Sequence, residues 1–180
     1  ENGRTRGFVS GLTGKEDTLF HCFTGDSPWC PSPTQTVNYV SCHDNYTLMD
    51  KLITSCGKLD REELVRMNKM AAAIYMTAQG IPFIHAGEEW LREKLDEKGN
   101  RVENSYNAPD FVNKIRWDVL DNRETARTVN YYKGLIELRK AHAALRMATK
   151  EEVAANVEYR WLTNELVLFN IEGKGFVKNE

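Results

Sequence analysis

No stretch of this chain is apolar enough to cross a bilayer. The longest apolar run, Met70 to Ala78, is already interrupted by Thr77 and falls far short of the roughly 20 residues that a spanning helix needs. Charge of either sign is also in little excess: the formal net charge is -2 and no basic stripe appears. That removes the electrostatic footprint of a nucleic-acid binder and leaves neutral or weakly polar ligands as the better fit. Cysteine is sparse. Cys22, Cys30, Cys42 and Cys56 show none of the C-x-x-C spacing of structural zinc. Cys22 and Cys30 flank a Pro-rich loop and could pair in a secreted protein, free thiols being the plainer reading. Cys42 beside His43 makes a poor nucleophile pair, because adjacent strand residues face opposite sides. The first residues, Glu-Asn-Gly-Arg-Thr-Arg-Gly, hold no apolar signal core, which leaves location open between cytoplasm and secretion, with the cytoplasm slightly favoured.

What is present suffices for a globular core, with 41% apolar and 28% charged side chains over 180 residues. Residues 1–36 are rich in Gly, Ser, Thr and Pro and read as a long loop with room for one short helix. Thr36 to Ser41 reads as a buried parallel strand holding Tyr39 and Val40, and it stops at His43-Asp44-Asn45. Polar groups at a strand's C-terminal end are where α/β barrels keep their chemistry. A helical pattern resumes at Thr47 to Ile53. Asp60-Arg-Glu-Glu63 is a capping box, and Leu64, Met67, Ala71, Ile74 and Ala78 form one helical stripe that Gly80 ends. Ile81 to His85 follows as a second short strand, so the segment makes one β-α-β unit.

Met67, Met70 and Met76 read as core filler on that helix. Leu95 to Asn113 is a polar loop suited to the rim of a site. A second helix runs from about Arg123 to Leu145, with Tyr131, Leu135, Leu138, His142 and Leu145 on its stripe and His142 at its boundary. After Ala148 the texture changes to alternation at Val157 to Trp161 and an apolar run at Leu166 to Phe169. This predicts the start of a small antiparallel β-domain over 148–180, after an α/β body over 1–147. Trp29 and Trp90 are candidates to stack on a ligand, or to be buried for their area.

The order of these motifs resembles the type I pullulanases, starch-debranching enzymes of the α-amylase superfamily. The resemblance rests on Val37-Asn-Tyr-Val-Ser-Cys-His-Asp-Asn45, Gln79-Gly-Ile-Pro-Phe-Ile-His-Ala-Gly-Glu-Glu89 and Asn104-Ser-Tyr-Asn-Ala-Pro-Asp110, with Arg6 to Gly11 and Tyr131 to Arg139 in support. It implies the last strands and helices of a (β/α)8 barrel, with residues 36–41 as strand seven and 81–85 as strand eight, followed by the start of a β-sandwich. It also implies retaining hydrolysis of α-1,6 linkages in pullulan, amylopectin and related α-glucans. That chemistry needs a nucleophilic carboxylate and an acid about 5 Å apart, and an oxocarbenium-like transition state.

In this family a third carboxylate stabilises that state, and Asp44 matches it. His43 matches the histidine that bonds hydroxyls of the same sugar; Asn45, Asn104, Tyr106 and Asp110 match rim or subsite contacts. Asp44 is therefore expected to face a sugar pocket. Glu88 and Glu89 imitate the family's acid motif, but that motif precedes the His-Asp strand and these residues follow it. Neither the nucleophile nor the acid motif is matched before residue 36. The expectation is a C-terminal fragment, inactive alone, whose bared strand edge invites self-association. No D-x-D-x-D-G loop is visible, so no cofactor is required and calcium has no identified site. Isoamylase, glycogen debranching enzyme and a non-catalytic glucan-binding module are the alternatives.

Overall fold

A computed structural model describes residues 3–163 and 166–172. It is a mixed helix and sheet structure in the element order α1 (Glu16–Thr24), β1 (Val37–Asn38), α2 (Leu48–Cys56), α3 (Arg61–Thr77), β2 (Ile81–Pro82), α4 (Asp110–Asn113), α5 (Arg123–Ala141), α6 (Lys150–Asn156), β3 (Val157–Thr163) and β4 (Leu166–Ile171). The residues fall into two compact units. Of the described residues, one comprises 3–10, Tyr39–Ala72 and Ile84–Lys133; the other comprises Gly11–Asn38, Ala73–Phe83, 134–163 and 166–172.

Local chemistry accounts for the helix starts of the first unit. Thr47 caps α2 by accepting the Asp50 backbone N–H at 3.1 Å. The capping box before α3 forms as its residues predict: Glu63 N–H donates to Asp60 Oδ1 at 2.7 Å, and Asp60 N–H donates to Glu63 Oε2 at 3.2 Å. The core packs Leu48, Met49, Leu52 and Cys56 of α2 against Leu64, Val65 and Ala71 of α3 and against Leu91, with Met67 partly buried beside them. Met70 departs from the expected core role at 43% exposure.

In the second unit, β1 and β2 pair in parallel, Val37 with Ile81 and Asn38 with Pro82. Ile81 N–H donates to Thr36 O and Phe83 N–H to Asn38 O, each at 2.9 Å. The β-α-β reading holds in order, with two helices in the crossover, yet both strands are two residues long where six and five were expected. Proline at 82 supplies no N–H to the ladder. The expected burial of the first strand is corrected too. Among the described residues this sheet has two strands, and a parallel strand is buried only where other elements cover its faces. The chain leaves the ladder at Asn38, and Tyr39 and Val40 are 54% and 41% exposed.

Gly80, at φ 95°, makes the turn between α3 and β2, and a Cβ there would meet Thr36 Oγ1 at 2.3 Å. Beside it, Arg139 is 7% exposed and donates to the carbonyls of Met76, Ala78 and Gly80 at 2.8, 2.7 and 2.6 Å. A guanidinium thus takes up carbonyls that the end of α3 leaves without helical partners. Gln79 is fully buried and bonds Ala144 O and Met147 N–H, both at 2.9 Å.

α5 spans Arg123–Ala141, but its buried face is not the one its apolar residues suggest. Thr125, Thr128, Tyr132, Leu135 and Arg139 are buried at steps of three and four, while Tyr131 and Leu138 are 37% and 41% exposed. Polar groups that find partners displaced the apolar stripe: Thr128 Oγ1 donates to Glu124 O at 3.0 Å, and Tyr132 and Arg139 have bonds of their own. His142 is exposed at the helix end.

The segment after Ala148 opens with α6, a helix not among those expected although Thr149-Lys-Glu-Glu152 has the capping-box pattern, and that box forms. The predicted antiparallel strands follow as the β3–β4 pair. Phe169 of β4 stacks on Phe23 with ring centroids 3.6 Å apart and lies 5.0 Å from the Tyr159 ring. All four cysteines are free thiols, Cys22 exposed and Cys30 buried. No helix among the described residues is long and apolar enough to cross a membrane.

Candidate functional site

The segment Ser41 to Thr47 is anchored at both ends and open in the middle. At its root Ser41 is buried and donates to Glu88 Oε2 at 2.7 Å. Glu88 is 4% exposed, and the Tyr132 hydroxyl lies 3.3 Å from its Oε1 and 3.1 Å from Asn68 Oδ1. Glu88 is thus held in a buried hydrogen-bonded cluster, as structural carboxylates are. At the other end Thr47 is buried, its hydroxyl 2.7 Å from Asp50 Oδ2 and 2.8 Å from Arg92 O.

Between these anchors the side chains reach solvent. His43 Nδ1 lies 3.4 Å from Asp44 Oδ1, with side chains 81% and 61% exposed. So exposed a pair adds little to stability. Asn45 and Asn104 both adopt left-handed backbone, at φ 61° and 51°, a conformation asparagine tolerates better than most residues. They clasp each other: Asn45 N–H donates to Asn104 Oδ1 at 2.6 Å, and Asn104 N–H donates to Asn45 O at 3.3 Å. Two residues 59 apart in the sequence thereby meet beside Asp44. Tyr106 stands two residues from Asn104 at 83% exposure. Asp110 begins α4, and among the described residues no bond joins it to His43, Asp44 or Asn45.

Beneath the clasp lies a network that reading the sequence did not find. Asp50 is completely buried; its Oδ2 accepts Lys94 N–H at 2.8 Å, and Arg101 Nε sits 3.2 Å from its Oδ1. Burial raises the Asp50 pKa to about 6 against the lowering effect of the Lys94 and Thr47 hydrogen bonds. Lys94 Nζ donates to Ser105 Oγ at 2.6 Å, and Ser105 Oγ donates to Asn113 Oδ1 at 2.7 Å. Asn113 Nδ2 returns a bond to Ser105 O at 2.6 Å, and Arg92 holds the carbonyls of Asn113 and Ala86. His85 is half-buried; burial, followed by the charges of Lys94, Arg92 and His43, lowers its pKa to about 4. It is a neutral imidazole at pH 7. Its position at the end of the Ile81 to His85 run was the available signal for it.

A cleft of about 800 Å³ lies in the same unit, walled by Trp90, Arg92, Glu93, Phe111, Lys114 and Thr125 among others; His43 and Asp44 are not among its walls, and Asp44, expected to face a pocket, stands in solvent in this chain. Trp90 is 9% exposed and packs on Trp117 with ring centroids 5.3 Å apart, whereas Trp29 is 77% exposed. Trp90 is thus largely buried, with part of its surface on the cleft wall. Among the described residues no group of three His, Cys, Asp or Glu side chains is arranged to hold a metal ion.

Comparison with known proteins puts this arrangement in context. No protein-family model matches the chain. A pullulanase of Bacillus subtilis is 34% identical over 175 residues, covering 93% of this chain and 23% of that protein. The solved structure of a pullulanase from Paenibacillus barengoltzii with maltohexaose and alpha-cyclodextrin superposes with a TM-score of 0.85 at 38% identity, over 93% of this chain and 26% of that one. A pullulanase from Anoxybacillus sp. LM18-11 with maltotriose gives a TM-score of 0.85 at 36% identity, over 93% of this chain and 23% of that one. An isoamylase of Flavobacterium is 31% identical over 147 residues, covering 69% of this chain and 17% of that protein.

The chain is therefore similar to a segment of the pullulanases, with isoamylase among the further matches. It spans about a quarter of the length of the pullulanases it matches.

Proposed function

We propose that this chain is the part of a retaining glycoside hydrolase that carries the transition-state-stabilising carboxylate for cleaving α-1,6-glucosidic branch linkages in pullulan, amylopectin and related α-glucans. Asp44 takes that role. His43 contacts the same sugar, and Asn45, Asn104, Tyr106 and Asp110 line the rim or subsites beside it. The observation that carries the reading is the clasp between Asn45 and Asn104, which joins two motifs read separately from the sequence into one exposed polar surface around Asp44. An ionised carboxylate beside sugar hydroxyls makes charge-assisted bonds that strengthen as positive charge grows on the ring.

The exposure of Asp44 has a place in this proposal. The relatives carry most of their length outside the matched segment, and the second wall of the pocket, with the nucleophile and the acid, comes from there. The parallel pairing of β1 with β2 across a helical crossover supports their assignment as barrel strands seven and eight, with residues 1–147 as barrel. The antiparallel β3–β4 pair supports a C-terminal β-domain that begins at 148; of its range to 180, residues 164–165 and 173–180 lie outside the described residues. No cofactor enters the mechanism.

Two assays test the reading. The chain alone, given pullulan, releases no reducing ends. The protein encoded by the open reading frame that includes the upstream motifs hydrolyses pullulan and loses about 100-fold or more in kcat on Asp44→Asn. Retention of full activity in that variant removes Asp44 from the chemistry. The isoamylase match favours one second reading, a debranching enzyme that prefers glycogen; rates of the same protein on pullulan and glycogen separate the two.

A further inference from the structure

Lys94 is the buried group whose bonding is least explained by stability. Its residue is 5% exposed and it carries three donors, yet among the described residues its ammonium bonds a single hydroxyl, Ser105 Oγ at 2.6 Å. Burial and the nearby Arg92 charge favour loss of its proton, with Asp50 opposing them. Taking an ammonium out of water costs more than one neutral acceptor returns, and well-packed apolar replacements of buried charges are often neutral or stabilising. Something other than folding energy therefore accounts for a lysine here.

Its bonds lead to the clasp. The Lys94 backbone is tied to the core through Asp50, which accepts its N–H at 2.8 Å, and to the neighbouring strand of loop through Val102, whose N–H donates to Lys94 O at 2.9 Å. The ammonium then reaches Ser105, which sits between Asn104 and Tyr106 and is itself buried at 1% exposure. Ser105 bonds Asn113 in both directions, so that turn has one fixed position. Asn104, the next residue back, holds the Asn45 backbone beside Asp44.

We infer that Lys94 is a positioning residue: through Ser105 it sets the Asn104 side chain against the Asn45 backbone and so fixes the direction of the Asp44 carboxylate. This rests on the role given to Asp44 above. Asp50 and Arg92 serve the same chain of bonds, but each also holds backbone elsewhere, so Lys94 and Ser105 are the pair to test.

The test uses the chain as it stands. The variants are Lys94→Met, the double variant Lys94→Met with Ser105→Ala, and Ser105→Thr, which keeps the hydroxyl. Thermal unfolding, amide exchange at Asn45 by NMR and affinity for maltotetraose are measured on each. We expect Lys94→Met and the double variant to unfold within about 4 °C of the parent, while the Asn45 amide exchanges about tenfold faster and maltotetraose binds about tenfold more weakly. Ser105→Thr should restore parental exchange. Unchanged Asn45 exchange in both Lys94 variants overturns the inference. So does a collapse of thermal stability in both, since that marks a purely structural lysine. If the parent chain binds no maltotetraose, the sugar-binding reading of the surface fails, and the exchange rates still decide the positioning role alone.

Discussion

Two buried cations, one in each unit, are treated in opposite ways. Arg139 donates three hydrogen bonds to backbone carbonyls around the end of α3, whereas Lys94 donates one, to the hydroxyl of Ser105. The first repeats what a helix C-terminus asks of any cation, and its fork of donors suits several acceptors at once. Among the described residues Arg139 engages three of its five donors and the Lys94 ammonium one of its three. The more heavily bonded charge holds the fold, while the other is the one proposed above to act through where it points. Both units therefore carry polar interiors, but only the first has its polar interior wired to a candidate site.

The largest effect is expected at Arg139. Arg139→Met strips partners from three carbonyls and should cost about 3 kcal/mol, read as a lower urea midpoint; Arg139→Lys should recover part of it. A loss under about 1 kcal/mol would erase the contrast with Lys94. Asp50 comes next. Its pKa is raised from 3.8 to about 6, so the folded state holds this proton more tightly than the unfolded chain does. The stability it contributes is full below pH 3.8 and is lost as pH rises through 6, by on the order of 2 to 3 kcal/mol. Asp50→Asn should remove that slope in urea titrations between pH 4 and 7.

Gly80→Ala follows, at about 2 kcal/mol, since alanine would be strained at φ 95° and its Cβ would strike Thr36. A unit 2 that tolerates it without change in midpoint would show that the turn there is soft. His85 sharpens the comparison from the other side. Its pKa is lowered from 6.5 to about 4, so the unfolded chain takes up the proton first and stability declines as pH falls from 6.5 toward 4. His85→Gln should flatten that decline, opposite in sign to the Asp50 variant. The smallest effect belongs to His43→Gln, within about 0.5 kcal/mol, because that side chain is exposed; any cost should appear in glucan affinity alone.

How far the residues could be read depended on the range of the forces involved. The capping box at Asp60 and Glu63 was legible because both partners lie within one helical turn. The parallel pairing of two short apolar runs across a helix was legible as a pattern, though their length was not, since a ladder extends only as far as its neighbour does. The buried face of α5 does not follow from apolarity, because Thr128, Tyr132 and Arg139 are buried with polar partners. His43, Asp44, Asn45 and Asn104 were found through motif resemblance; that Asn104 grips Asn45, while Asp110 makes no bond to the three, needed coordinates.

Residue order was enough for the resemblance, for helices α2, α3 and α5 and for the polar cluster after the first strand, because capping, periodicity and motif spacing are local and survive without knowledge of the fold. The Asp50–Lys94–Ser105 network, the neutral state of His85 and the clasp beside Asp44 came only with the folded chain. Burial and hydrogen-bond partners come from residues far apart in sequence, and they set which charges are stabilised and where they point.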